Sequence, residues 1–110
     1  MKRSEVWRTL FPGPRGHVQG GIRPAVIVQE DRFVVPTVLV VPFTSQQRAT
    51  RFPGTLVVQP DGTNGLTVPS VALVFQMTTV DRTDRLQHIG VLDTQTLDQL
   101  LDLLARLTGR

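Results

Sequence analysis

The sequence predicts an α+β fold that is mainly β, a small barrel or curved sheet with one helix at its C-terminal end. Short apolar or alternating runs recur as far as Leu92, separated by glycine and proline clusters that break regular structure. Beyond them, leucines at three-four spacing mark a single amphipathic helix. The length, 110 residues, suits one domain spanning residues 1–110 and leaves no room for two.

Glu5–Phe11 reads as the first strand, with Val6, Arg8 and Leu10 alternating against Trp7 and Thr9. The stretch Pro12-Gly13-Pro14-Arg15-Gly16-His17-Val18-Gln19-Gly20-Gly21 is a loop, because its glycines and prolines exclude regular structure. Pro24–Gln29 is a short apolar strand. Thr37–Phe43 is another, and Pro42 late in it predicts an edge or a strand end, since proline has no N–H to give a ladder. Leu56–Gln59 and Ser70–Gln76 follow, joined through two turn dipeptides, Asp61-Gly62 and Asn64-Gly65. His88–Leu92 is a last short strand. Asp93 or Thr94 caps the helix. In it Leu97, Leu100, Leu101, Leu104 and Leu107 form the buried face, while Asp98, Asp102 and Arg106 sit four apart on another and can pair weakly.

Composition narrows the function. Hydrophobic residues at 40% and charged residues at 19% indicate a globular chain, not a disordered one. With no cysteine, a disulfide framework, a thiol nucleophile and a Cys-ligated zinc are excluded. Two histidines far apart, His17 and His88, do not make a metal site, so neither metal nor cofactor is expected. The basic start Met1-Lys2-Arg3 has no apolar signal core behind it. No apolar run approaches the roughly 20 residues that cross a bilayer, which points to the cytoplasm. The net charge is +3, and 11 of the 12 basic residues are arginine. Arginine forks onto phosphate and stacks on bases, so the balance points to nucleic acid or an acidic partner. A GC-rich coding sequence accounts for the arginines equally well.

Three segments can carry chemistry. In Gly16-His17-Val18-Gln19-Gly20-Gly21-Ile22-Arg23-Pro24 a glycine-rich loop runs straight into a strand. Pro24 favours an extended Arg23 at the strand entrance, which aims a guanidinium out of the loop base. This is no P-loop, because neither G-K-[ST] nor a helix follows. On these residues alone Arg23 reads equally well as an ion-pair residue or a functional one. In Val41-Pro42-Phe43-Thr44-Ser45 an apolar strand emits two hydroxyls into the polar loop Gln46–Arg51. A hydroxyl there is a turn-former or a donor to phosphate oxygen. Arg48 and Arg51 make the loop basic, or are simply solvated charges. The third segment, Phe75-Gln76-Met77-Thr78-Thr79-Val80-Asp81-Arg82, turns polar at the end of a buried strand. Asp81 is a turn or cap residue there, or a carboxylate near Arg23.

Taken in order and at these spacings, the segments resemble the MazF/PemK/Kid family of toxin endoribonucleases. Glu5-Val6-Trp7 is similar to its opening [GDE]-[IV]-W. Gly16 to Pro24 resembles G-[HS]-E-Q-x-x-x-R-P, Val41 to Ser45 resembles V-P-[IV]-T-S, and Phe75 to Asp81 resembles D-Q-x-R-[TS]-[IV]-D. The resemblance spans nearly the whole chain. It implies an SH3-like β-barrel of the CcdB/MazF type, a homodimer with single-stranded RNA along its interface, and an acidic antitoxin whose flexible tail occupies the RNA site. It also implies cleavage without metal, to a 2′,3′-cyclic phosphate and a 5′-hydroxyl. The arginine and threonine that match Arg23 and Thr44 are catalytic in such families. His17, the one nearby group that titrates near neutrality, is the candidate general base or acid, or else a hydrogen-bonding group for RNA or the loop. Arg15, Gln19, Ser45, Arg48, Arg51, Gln76, Thr78 and Asp81 are the candidate RNA-binding residues. Three positions depart from the pattern: Val18 stands for its glutamate, Phe75 for its aspartate and Thr78 for its arginine. Two other functions compete. One is a non-catalytic single-strand-binding barrel using Arg15, Arg48 and Arg51 with an exposed Phe52. The other is a CcdB-type toxin acting on DNA gyrase.

Overall fold

A computed structural model describes residues 2–11 and 21–110. Seven strands come first, β1 Glu5–Phe11, β2 Gly21–Ile27, β3 Thr37–Thr44, β4 Thr55–Val58, β5 Ser70–Leu73, β6 Thr78–Asp81 and β7 Arg85–Val91, and the helix α1, Thr94–Leu107, comes last. The strand path is β4-β5-β3-β2-β1-β7, with β6 joined to β3. All the pairings are antiparallel. The ends of that path, β4 and β7, do not pair, so a mainly β sheet with a terminal helix is present but its ladder does not close into a barrel.

The apolar runs of β2 and β3 are continuous because both faces of these strands are buried. Val26 and Val41, opposite each other, belong to a cluster that includes Val6, Phe43, Val74, Leu92 and Leu100. Their neighbours Ala25, Ile27 and Val40 belong to a second cluster, with Phe11, Val38 and Val80. Pro42 therefore marks neither an edge nor a strand end. It lies buried within β3, paired with Ala25 of β2. The missing N–H is accommodated on the other side. There β5 pairs as far as Phe43↔Ala72 and β6 resumes at Val40↔Thr78, so Val41 and Pro42 face a break. That break contains the 3-10 helix Val74–Gln76. It also splits the expected strand Ser70–Gln76 and sets off β6, which periodicity did not reveal because its Thr-Thr-Val-Asp is too short and polar.

Other boundaries move for local reasons. β2 begins at Gly21, so Arg23 lies inside it, opposite Thr9 of β1, and not at its entrance. The expected loop Gln46–Arg51 forms a 3-10 helix over Gln47–Arg51. In α1, Asp93 is the N-cap and its carboxylate accepts the Thr96 N–H at 3.2 Å. Leu100 is its one fully buried leucine, and Leu97, Leu101, Leu103 and Leu104 pack partly buried beside it. Leu107, expected on the buried face, is 43% exposed. Arg106 forms no ion pair with Asp102; among the described residues Arg3 and Arg32 pair with Glu30 instead.

The turn between β4 and β5 is built on Asp61, whose carboxylate accepts the N–H groups of Thr63 at 2.8 Å and Asn64 at 2.7 Å and the Thr63 hydroxyl at 3.0 Å. These bonds, led by the Thr63 N–H, hold its pKa below the ordinary carboxylate value. A depressed folded pKa gives stability that is present above the unfolded value of about 3.9 and is lost as pH falls through the folded one. Asp61→Ala is therefore expected to lower the melting temperature at pH 7 and to narrow its gap to wild type near pH 2. A gap unchanged between the two pH values would count against the turn's dependence on this carboxylate.

Candidate active site

The register of the central strands positions the key pair. β2 and β3 pair as Ile27↔Val40, Val26↔Val41 and Ala25↔Pro42. The ladder ends there; continued two residues further, the same register sets Arg23 level with Thr44. Residues opposite each other in an antiparallel pair share a face. Arg23 and Thr44 both line one cleft of about 550 Å³, together with Ser45, Arg8 and Gln87. Arg8 and Gln87 are themselves opposite across β1 and β7. Sequence reasoning did not single them out, although Arg8 stood as a polar member of an alternating strand.

Arg23 is half-buried. Burial lowers its guanidinium pKa from the ordinary value, yet arginine remains a cation at any working pH. It can neutralise an anion but cannot shuttle a proton. The Thr44 hydroxyl oxygen accepts the Gln46 N–H at 3.2 Å, so Thr44 is the expected turn-former. That bond uses a lone pair and leaves the hydroxyl proton to be donated into the cleft.

A second cleft, of about 450 Å³, shares Thr44 and Gln46 with the first and is lined further by Arg48, Arg51, Phe52, Phe75 and Gln76. Arg48 and Arg51 are exposed, as solvated charges would be, and the 3-10 helix places both against this cleft. Thr78 lies opposite Val40, four residues along β3 from Thr44 and on the same face, about 13 Å away at the usual strand rise. Asp81 lies opposite Thr37, at the other end of β3, so the structure does not bring its carboxylate to Arg23. Arg15, His17 and Gln19 lie outside the described residues. No three described His, Asp or Glu side chains group to hold a metal ion, and no described helix is long and apolar enough to cross a membrane.

Comparison with known proteins adds identity to this geometry. A family model described as PemK-like, MazF-like toxin of type II toxin-antitoxin system matches residues 2–108. Endoribonuclease EndoA of Bacillus subtilis (strain 168) is 30% identical over 110 residues, covering 94% of this chain and 90% of that protein. Probable endoribonuclease MazF of Mycolicibacterium smegmatis is 32% identical over 92 residues, covering 82% and 80%. Among solved structures, MazF (Form-I) from Deinococcus radiodurans matches with a TM-score of 0.82 at 24% identity, over 100% of this chain and 97% of that one. MazE-MazF (Form-II) from the same organism matches with a TM-score of 0.73 at 26% identity, over 99% and 96%. With a family model matched from residue 2 to residue 108, the chain belongs to the PemK-like, MazF-like toxins of type II toxin-antitoxin systems.

Proposed function

We propose that residues 1–110 form a single cytoplasmic toxin domain that cleaves single-stranded RNA without a metal ion. The observation that carries this reading is the Arg23–Thr44 juxtaposition on one cleft. RNA brings its own nucleophile. The 2′-hydroxyl loses its proton and attacks the adjacent phosphorus. The P–O5′ bond then breaks, and the departing oxygen takes up a proton. The products are a 2′,3′-cyclic phosphate and a 5′-hydroxyl. Arg23 stabilises the extra charge of the pentacovalent phosphorane. Thr44 donates its hydroxyl to a non-bridging oxygen and fixes the phosphate. His17 is the candidate for the proton transfers or for hydrogen bonding to RNA. DNA, lacking the 2′-hydroxyl, survives.

Arg48 and Arg51 supply positive charge for the phosphates beside this centre, and Ser45 and Gln76 supply hydrogen bonds. Arg15 and Gln19, ahead of β2 in sequence, add to the same contact. Thr78 and Asp81 extend the contact along β3. The chain works as a homodimer, which light scattering at micromolar concentration tests against the 12.2 kDa chain mass. An acidic, flexible antitoxin segment competes with RNA for the basic clefts. A neutralising partner that bound while RNA was still cut would refute that shared site.

The deciding experiment treats a long single-stranded RNA with enzyme in excess EDTA. Cutting is expected to persist. Abolition that magnesium restores would overturn the mechanism. Intact RNA that is nonetheless bound would favour the non-catalytic barrel, and inhibition of gyrase supercoiling would favour the CcdB-type toxin.

The departure at Thr78 has its own test. An arginine here would start about 13 Å from Thr44 on the shared face and reach back toward the phosphate. Thr78→Arg is expected to raise single-turnover cleavage several-fold. An unchanged rate at unchanged stability would place the position outside the active site.

A further inference from the structure

The second cleft holds a feature that phosphate chemistry alone does not require. Phe52 is 44% exposed and Phe75 40% exposed, and their ring centroids lie 5.7 Å apart, tilted by 48°. Two aromatic faces are thus held together at the mouth of one basic cleft. The Arg51 guanidinium sits 4.9 Å from the Phe52 ring centroid, so cation and ring already form one stacked unit. The platform is fixed from behind. The Phe75 N–H donates to the Gly54 carbonyl at 3.2 Å. Gly54 is itself buried at φ +79°, where an added Cβ would fall 3.1 Å from the Phe75 Cβ and 3.0 Å from a Leu107 methyl.

We infer that Phe52 and Phe75 form a stacking subsite for one unpaired nucleobase flanking the scissile phosphate. The inference rests on the RNA-cleavage reading and names a specificity element within it. Its occupant follows from chemistry and position. Thr44 and Gln46 line both clefts, so a base here is adjacent to a phosphate held at Arg23 and Thr44. Base–aromatic stacking needs exposed rings, and the sugar–phosphate backbone needs the cations that Arg48 and Arg51 provide. Gln76 also lines this cleft. Phe75 is the instructive residue. The pattern this chain resembles has a carboxylate there, which would repel phosphate and offers no face to a base. In this chain that position contributes a ring beside Phe52.

The test is a coupling measurement. A cleavage site is first mapped on a transcript, and a short RNA spanning it is made with 2′-fluoro at the attacking position, so that it binds without being cut. Where no cut maps, a mixed-base single strand of the same length serves the binding arm. Each flanking base in turn is replaced by an abasic ribonucleotide. For the wild type, removing one flanking base is expected to weaken binding about 5- to 100-fold, the scale of one stacked base. In Phe52→Leu and Phe75→Leu, which keep apolar volume but lose the ring, the same removal is expected to cost less than about twofold, while Phe75→Tyr retains the wild-type loss. Equal losses in wild type and leucine variants would overturn the subsite while the RNA-cleavage reading still stood. Coupling without cleavage of the unmodified RNA would instead overturn the endoribonuclease reading and keep the subsite. Leucine variants that turn a dimer into a monomer, with no coupling to any base, would assign the rings to an interface between copies and overturn the inference.

Discussion

Arg23→Ala is expected to lower single-turnover RNA cleavage by about 10²–10³-fold, the usual loss on removing one transition-state donor, while the protein stays folded. Arg23 is half-buried at the rim of a cleft and belongs to neither core cluster. Its removal opens no cavity in the core, so the melting temperature should move little. Arg23→Lys should rescue little, because a point charge does not reproduce the fork that holds two phosphate oxygens. Thr44 provides the companion measurement. Thr44→Ala loses both the hydroxyl proton and the oxygen that accepts the Gln46 N–H, so it should lose activity and loosen the turn. Thr44→Ser keeps both and should keep most activity. If Arg23 is only a structural residue, the pattern reverses: melting temperature falls and residual cleavage tracks the folded fraction. Melts and single-turnover rates on the same samples separate the cases. A folded Arg23→Ala protein that cuts at a near-normal rate would remove the catalytic assignment.

Much of this architecture was legible in the sequence, and the misses share a cause. The first strand, Glu5–Phe11, is legible to the residue, because one run of alternation sits between clear breakers. The helix was legible from its leucines and its Asp93 cap. Pro42 misled because its effect depends on the partner strand. A proline is tolerated inside a sheet when the neighbour breaks its own ladder there, and the neighbour is Leu73–Met77, some thirty residues away in sequence. That Arg23 and Thr44 belong to one site is legible only through resemblance. Nothing local to either residue specifies the β2–β3 register, which is set by which apolar positions meet on each face. The aromatic pair was half legible. Phe52 in a polar stretch reads as exposed, but Phe75 joins it only because the chain leaves the ladder after Leu73 and turns its ring outward.

The other large effect lies in the turn that walls the Arg23 cleft. Gly65→Ala is expected to destabilise the fold by about 2–5 kcal/mol, from left-handed backbone strain plus overpacking. Gly65 has φ +75°, and an added Cβ would lie 2.2 Å from the Ile89 carbonyl oxygen. That contact is backbone against backbone, so no side chain can swing aside. Gly90 faces it in the same seam, with its own Cβ position 2.3 Å from the Asn64 carbonyl carbon. The two glycines let the turn lie directly on β7, where Val91 N–H bonds Thr63 carbonyl at 2.8 Å. Asn64, 1% exposed, ties the turn down by donating to the Gln59 carbonyl and accepting the Leu66 N–H. Leu66 then enters the core, and Gly65, Leu66 and Thr67 line the cleft that holds Arg23 and Thr44. Separating turn from strand therefore loosens the core and the Arg23 cleft together. Gly65→Ala should lower the melting temperature by more than about 10 °C, with cleavage per folded molecule also reduced. Gly62→Ala is the internal control. It sits in the same turn, has nothing within 4 Å of an added Cβ, and should stay within about 0.5 kcal/mol of wild type. Equal melting temperatures for the two variants would show that the seam yields without cost, and that the turn does not brace the site.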